Sequence, residues 1–291
     1  MNVNMKRIFW GLMAIVAVSC TELSESLTET GEQIVFSKNC VEAEVQTKQS
    51  VSSVTSLSEF YVNCVVGSPG VSEQSVFNTK FSGEDRCYGN QYWPSTDAGY
   101  KFYAANAVIS PKATGPVLDA SVAVNTVDIV TAVCLDAGYK MVNQLVFNHI
   151  FARIGSCAVS APDKYTVSEL SVSIVPKVSG EYDILAGNGK TDGTGWSRIV
   201  EGSPVVIANA VASSSDNGLY LVPGQYSLAV EYTLVRGAYS EHFSKTSKPF
   251  SVSGGKVNNI SLTLPEGNAV EIGLSVTVTP WVQGNVITEL L

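Results

Sequence analysis

Tyr226-Ser227-Leu228-Ala229-Val230-Glu231-Tyr232-Thr233-Leu234 alternates large apolar side chains with small or polar ones. Successive side chains of a strand point to opposite faces, so Tyr226, Leu228, Val230 and Tyr232 share one face. The same period of two appears at 169–175, where Leu170, Val172 and Ile174 alternate with Ser171 and Ser173. These segments read as strands with one apolar and one polar face.

Working outward, short apolar runs alternate with turn residues along the chain, and Val, Ser, Thr, Tyr and Gly dominate. That composition favours strands. Gln33-Ile34-Val35-Phe36 is the first candidate, followed by 58–66, 76–81 and 100–107. In the last, Phe102 and Ala104 point to one face and Tyr103 and Ala105 to the other. Two longer runs follow, at 127–134 and 144–154. The second also fits a short helix by spacing, but its branched and aromatic Val146, Phe147, Ile150 and Phe151 favour strand. Phe250 to Val252 and Val257 to Leu264 flank Gly254-Gly255 and read as a hairpin. A strand ending near Pro280-Trp281 closes the series. No long amphipathic helix is visible. The expectation is an all-β protein of two stacked β-sandwiches. Pro162 and Asp163, in the stretch 158–164, mark a linker, giving an N-terminal sandwich over 32–160 and a C-terminal one over 161–291.

The chain begins MNVNMKRIFWGLMAIVAVSC. Lys6 and Arg7 lead into the apolar run Ile8 to Val18, which is too short for a spanning helix of ~20 residues. Residues 1–19 therefore read as a secretory signal peptide. Cys20 after Ala17-Val18-Ser19 resembles a bacterial lipobox, which implies lipid attachment at Cys20, with Ala17 where Leu is commonest. Residues 20–31 are polar and acidic and read as a tether. The 291 residues hold 18 Lys and Arg against 26 Asp and Glu, a net charge of −8. The signal segment removes only basic residues, so the remainder is more acidic still. A chain of that charge is not expected to bind nucleic acid.

The six cysteines are Cys20, Cys40, Cys64, Cys87, Cys134 and Cys157. With Cys20 acylated, an odd number remains. The spacings match no zinc pattern. Several lie in apolar runs, so buried free thiols are preferred over a disulfide. Catalysis finds few candidates among the two histidines, His149 and His242. His149 sits in the apolar Phe147-Asn148-His149-Ile150-Phe151 and reads as a core residue; His242 reads as an exposed strand end. There is no G-x-S-x-G elbow and no HExxH. Gly189-Lys190-Thr191 mimics the end of a phosphate loop, but Ile184 stands where the first Gly belongs, so a β-turn is expected. Asn188 and Asp192 do not make a calcium loop. No carboxylate pair of glycosidase type stands out, and the sequon Asn259-Ile260-Ser261 reads as chance. Tyr88, Tyr92, Trp93, Tyr100, Phe102 and Tyr103 could stack on sugars, although a core plug is the simpler reading. No catalytic residue, metal ligand or cofactor is nominated.

Several segments, taken in order, resemble the fimbrillin-like (Mfa-like) lipoproteins, subunits of type V pili. After the lipobox, Ile34-Val35-Phe36 is followed by Thr47-Lys48-Gln49. Next come Tyr92-Trp93-Pro94, Lys101-Phe102-Tyr103-Ala104-Ala105 and Leu145 to Ile154. Leu219 to Tyr232 and the closing Pro280-Trp281 complete the series. The resemblance implies two tandem transthyretin-like β-sandwich domains, no enzymatic activity and no cofactor. It implies an outer-membrane or cell-surface location in a fimbrium, held through lipid on Cys20. The implied partners are other pilus subunits, joined by β-strand exchange, and a host or bacterial surface ligand. In that family an Arg- or Lys-specific protease removes the first strand. No Arg lies between Arg7 and Arg86 here, so Lys48 becomes the candidate processing site, with Lys38 a second, unless the subunit stays uncut as a membrane-proximal anchor. The C-terminal Val286 to Leu291 is the candidate donor strand. The alternative reading is a surface carbohydrate-binding lipoprotein of a glycan-uptake system.

Overall fold

The computed structural model describes residues 33–37, 40–41, 57–67, 74–93, 99–112, 115–119, 128–211, 216–267 and 270–281. In chain order the earlier strands are β1 (Gln33–Ser37), β2 (Cys40–Val41), β3 (Glu59–Val66), β4 (Gln74–Ser82), β5 (Arg86–Tyr92), β6 (Tyr100–Ala105), β7 (Ile109–Lys112), β8 (Gly115–Asp119), β9 (Val130–Cys134) and β10 (Val146–His149). The later elements are β11 (Ala152–Ser160), β12 (Thr166–Ile174), β13 (Lys177–Asp183), α1 (Ile184–Gly187), β14 (Trp196–Glu201), β15 (Val205–Ala208) and β16 (Asp216–Leu221). They end with β17 (Gly224–Tyr226), β18 (Leu228–Arg236), β19 (Tyr239–Thr246), β20 (Phe250–Val252), β21 (Lys256–Thr263) and β22 (Gly273–Pro280). The fold is all-β, as the alternating pattern requires.

An eight-stranded sheet of order β1-β5-β4-β3-β6-β9-β10-β2 forms the first half. It wraps until its ends meet. β1 pairs antiparallel with β5 on one side, while Phe36 bridges Asn143 in parallel on the other. β2 then continues the parallel pairing along β10. Inside lie Ile34, Phe36, Phe60, Val62, Phe81, Trp93, Phe102 and Phe147, all buried. β6 shows why this sheet is decisive. Tyr100, Phe102 and Ala104 enter that core, whereas Tyr103 and Ala105 enter a second one on the other side of the sheet. Both faces of the strand are buried, so its sequence is apolar apart from Lys101, whose ammonium group donates to the Gly67 carbonyl.

The second half is a sandwich of two four-stranded sheets, β16-β11-β21-β22 and β15-β12-β18-β19. The predicted inward faces form its core: Leu170, Val172 and Ile174 from β12, and Leu228, Val230, Tyr232 and Leu234 from β18. Tyr226 of β17 joins them and donates its hydroxyl to the Val222 carbonyl at 2.6 Å.

Three features differ from the sequence reading. The run 144–154 is two strands rather than one, because Ile150 and Phe151 dive into the layer between the halves. β11 then joins β16 and β21, so the linker placed at 158–164 begins within a strand of the second sandwich's core. β20 and β21 are not a hairpin: β20 pairs with β17, and β21 lies between β11 and β22. The chain is drawn across instead because the Gly254 amide donates to the Thr191 carbonyl and the Gly255 amide to the Phe151 carbonyl, each at 2.8 Å.

A fourth sheet, β14-β13-β8-β7, joins the halves. Strands β13 and β14 come from beyond residue 161, yet β13 pairs with β8 through Tyr182↔Leu118. The layer beneath it contains Tyr103, Ile109, Leu118, Phe151, Tyr182 and Ile184. α1 is a single turn capped by Asp183, whose side chain accepts from the Ala186 amide. Asp192 starts the next turn: its Oδ1 accepts from the Thr194 amide at 2.9 Å, and the Thr194 side chain adds a bond that lowers the carboxyl's pKa.

Candidate assembly site around the first strand

β1 is five residues long, and its three central residues are almost wholly buried: Ile34 0%, Val35 3% and Phe36 0% exposed. Phe36 anchors it. Its ring meets Phe81 and Phe102 edge-on with centroids 5.0 Å away in each case, and Phe60 at 5.9 Å. Such T-shaped contacts are the favoured geometry for aromatic pairs. Phe36 is thus the hub on which three other strands converge.

The main chain of β1 is held on both sides. On one side Val35↔Tyr88, Phe36↔Cys87 and Ser37↔Arg86 align it with β5. On the other side the Ser37 amide donates to the Asn143 carbonyl at 2.8 Å, and the Asn143 amide donates to the Val35 carbonyl at 3.2 Å. Asn143 is fixed for this task. Its Oδ1 accepts from the Gly138 amide at 2.9 Å, and its Nδ2 donates to the carbonyls of Gly138 and Met141. A buried asparagine with its polar atoms satisfied in this way is a rigid post. Sequence reasoning did not single out Asn143. Nothing in Met141-Val142-Asn143-Gln144 distinguishes it from an ordinary loop asparagine.

The other expected sites divide. Cys20, Lys38, Lys48 and the segment Val286 to Leu291 lie outside the described residues. Of the aromatic cluster, Trp93, Tyr100, Phe102 and Tyr103 are buried, and Trp93 packs against Tyr100, Phe102 and Tyr139. The core-plug reading holds for these four. Tyr88 and Tyr92 instead stand outward on β5, 43% and 58% exposed. Cys64, Cys87, Cys134 and Cys157 are buried thiols. Burial pushes the Cys64 thiol up to about 12 and the Cys157 thiol up to about 11.

His149 is buried, as expected, but is tied into more than a core. Its Nδ1 lies 2.6 Å from Asp128 Oδ2. Its ring stacks on Trp281. His242 faces solvent in the middle of β19, with Nδ1 3.2 Å from the Thr233 hydroxyl. The two imidazoles lie in different halves, and neither is described beside a serine or cysteine nucleophile. Gly189-Lys190-Thr191 follows α1 as a turn, with Gly189 at φ +67°.

The fimbrillin-like family model matches residues 43–281, beginning after β2 and ending at Trp281. No curated protein matches the sequence. Among solved structures, the chain is similar to a candidate cell adhesion protein of Bacteroides ovatus at 12% identity and a TM-score of 0.49, covering 88% of this chain and 100% of that one. A candidate cell adhesion protein of Bacteroides eggerthii matches at 13% identity and a TM-score of 0.47, over 89% and 98% of the two chains. A fimbrial assembly protein of Parabacteroides distasonis matches at 10% identity and a TM-score of 0.38, over 86% and 100%. With the family model spanning most of its length, this chain belongs to the fimbrillin-like family.

Proposed function

We propose that this protein is a lipid-anchored subunit of a cell-surface fimbrium that assembles by exchanging β1 for a strand of a neighbouring subunit. The observation that carries the reading is the seating of β1. It is short, it lies at the start of the described chain, and it fills a slot between β5 and Asn143 with Ile34 and Phe36 in the core. Its removal would leave Phe60, Phe81 and Phe102 without their central partner and two backbone edges unpaired. An open slot of that kind favours capture of a complementary strand, with main-chain bonds giving affinity and side-chain pockets giving register.

Lys48 is the proposed cleavage point, because it follows β1 and β2 and precedes β3. The proposed donor is Val286 to Leu291, in which Val286, Thr288 and Leu290 alternate with Ile287, Glu289 and Leu291. Cys20 is the proposed lipid site and the outer membrane the proposed attachment. The proposed division at 160/161 separates two sandwiches along the sequence, although β11 pairs with β21 and β8 with β13 across it.

The test is to treat the purified protein with a Lys-specific protease and look for SDS-resistant ladders. The expected result is a ladder with the native chain and none with Lys48→Ala or with a chain truncated after Trp281. If the truncated chain polymerises as well as the full one, the C-terminal donor is wrong. The carbohydrate-binding alternative draws on the exposed pair Tyr88 and Tyr92 but loses Trp93 to the core. Glycan-array binding that disappears in Tyr88→Ala/Tyr92→Ala would favour it.

A further inference from the structure

The β18–β19 hairpin brings two tyrosines and an arginine together at one end of the second sandwich. Arg236↔Tyr239 is its last pair, closed by the two-residue loop Gly237-Ala238 with Gly237 at φ +61°. On the other side Thr166↔Val235 aligns β12 with β18, so Tyr165 reaches the same end. The Tyr165 and Tyr239 rings meet edge-on with centroids 6.0 Å apart, and the Arg236 guanidinium lies over the Tyr165 ring, 5.7 Å from its centroid. Tyr239 is 41% exposed. Its hydroxyl donates to Glu241 Oε2, a bond that raises the phenol's pKa to about 12. Lys164, exposed next to Tyr165, adds a second cation. The chain holds 26 acidic residues against 18 basic ones, yet neither Arg236 nor Lys164 has a carboxylate partner among the described residues.

Each group offers something different. Arg236 is always charged, and its guanidinium fork matches a carboxylate two bonds at a time. Tyr239 has given its hydroxyl to Glu241, so its ring is what remains to offer, and an exposed aromatic ring suits the C–H face of a sugar. Glu241 keeps a second oxygen that accepts from sugar hydroxyls. The two rings already brace each other, so little ordering is needed when a ligand arrives. We propose that this end of the second sandwich binds an acidic sugar, with Arg236 on its carboxylate, Tyr239 against its ring and Lys164 as the second cation. A simple carboxylate uses only the cations, and a neutral sugar leaves both unmatched. The proposal depends neither on strand exchange nor on Tyr88 and Tyr92, which lie on β5 in the other half.

The test is isothermal titration of the full-length protein at matched ionic strength. The probes are tetragalacturonate, the neutral sugar maltotetraose and the acidic peptide tetraglutamate. The expected result is saturable binding of tetragalacturonate, with the other two much weaker. Arg236→Gln should weaken that binding by about tenfold or more, as befits loss of bonds between charged groups. Arg236→Lys, which keeps the charge and loses the fork, should fall between the parent and Arg236→Gln. Tyr239→Ala should weaken it by about fivefold through the lost ring contact. Tyr92→Ala, on the exposed face of β5, should leave it unchanged. Thermal melting checks that each variant is folded. Equal binding of maltotetraose or tetraglutamate, absence of saturable binding, or undiminished affinity in Arg236→Gln overturns the proposal. Loss of binding in Tyr92→Ala would move the site to β5 and overturn it as well.

Discussion

The indole of Trp281 lies flat on the imidazole of His149, with ring centroids 4.2 Å apart and planes within 7°. Trp281 follows the last strand of the second half, and His149 ends β10 of the first. The indole also stacks near Tyr220 of β16, at 5.5 Å and 11°. A three-ring pile thus ties the end of the described chain to the sheet that holds β1. It sits beside Asp128, whose Oδ2 lies 2.6 Å from the imidazole Nδ1.

Trp281→Ala should therefore act as an uncoupling mutation. Truncating a buried tryptophan costs about 3–5 kcal/mol when the site cannot collapse. Trp281 is 5% exposed and stacks between rings from both halves. The expected calorimetric outcome is a lower melting temperature, with a single transition broadening or splitting into two. A variant that melts as sharply as the parent and at the same temperature contradicts the coupling.

Phe36→Ala removes the hub of the first core and should destabilise the uncleaved protein by about 3–5 kcal/mol in urea unfolding. Tyr92→Ala, on the outer face of the neighbouring β5 and 58% exposed, should change stability by no more than about 0.5 kcal/mol. Equal effects from the two substitutions would mean that β1 is not held by its core contacts.

Asn143→Ala deletes the side chain that fixes the post while sparing the backbone bonds to Val35 and Ser37. The half-buried Gly138 amide then loses its acceptor, and losing one such bond costs about 0.5–1.5 kcal/mol. Hydrogen exchange should speed up at Ser37, whose amide bonds to Asn143, more than at Val172 in the second core. Unchanged exchange at Ser37 would show the post to be dispensable.

Stability should fall at alkaline pH. Burial raises the folded pKa of Cys64 from 9.0 to about 12 and that of Cys157 from 9.0 to about 11. Burial also raises Tyr232 from 10.0 to about 12, and it raises Tyr182 and Tyr226 further. In this range the unfolded chain releases protons that the folded chain retains, so the stabilisation is complete below about pH 9 and is lost as pH climbs toward about 12. Urea midpoints should be flat up to about pH 8.5 and lower at about pH 10.5. The thiols of Cys64 and Cys157 should resist alkylation in the native protein at neutral pH and react after unfolding, as mapped by mass spectrometry. Native labelling at either residue counts against the burial described here.

The strands were legible because their signal is local. The alternation in 226–234 and 169–175 depends only on the period of two and on which face meets the core, and the predicted residues are buried in strands, although the first segment is divided after Tyr226 between β17 and β18. The placing of Phe102/Ala104 and Tyr103/Ala105 on opposite faces was readable for the same reason; that both faces are buried was not. The buried thiols followed from apolar neighbours. Partner choice was not legible. Gly254-Gly255 looks like a hairpin turn, but β20 pairs with β17, because the amides of both glycines bond to carbonyls far away in sequence. Likewise Pro162-Asp163 marks a turn but says nothing about which core β11 enters.

By itself the sequence determined the class of fold and its strands, since alternation, turn residues and apolar runs act over a few residues. Tertiary structure alone decided that the sheet closes on β1 through Asn143, that β13 crosses to pair with β8, and that Trp281 stacks between His149 and Tyr220. Those are contacts between residues distant in the chain. Their free energy comes from burying shared surface and satisfying backbone groups on both sides at once, and no local pattern records it.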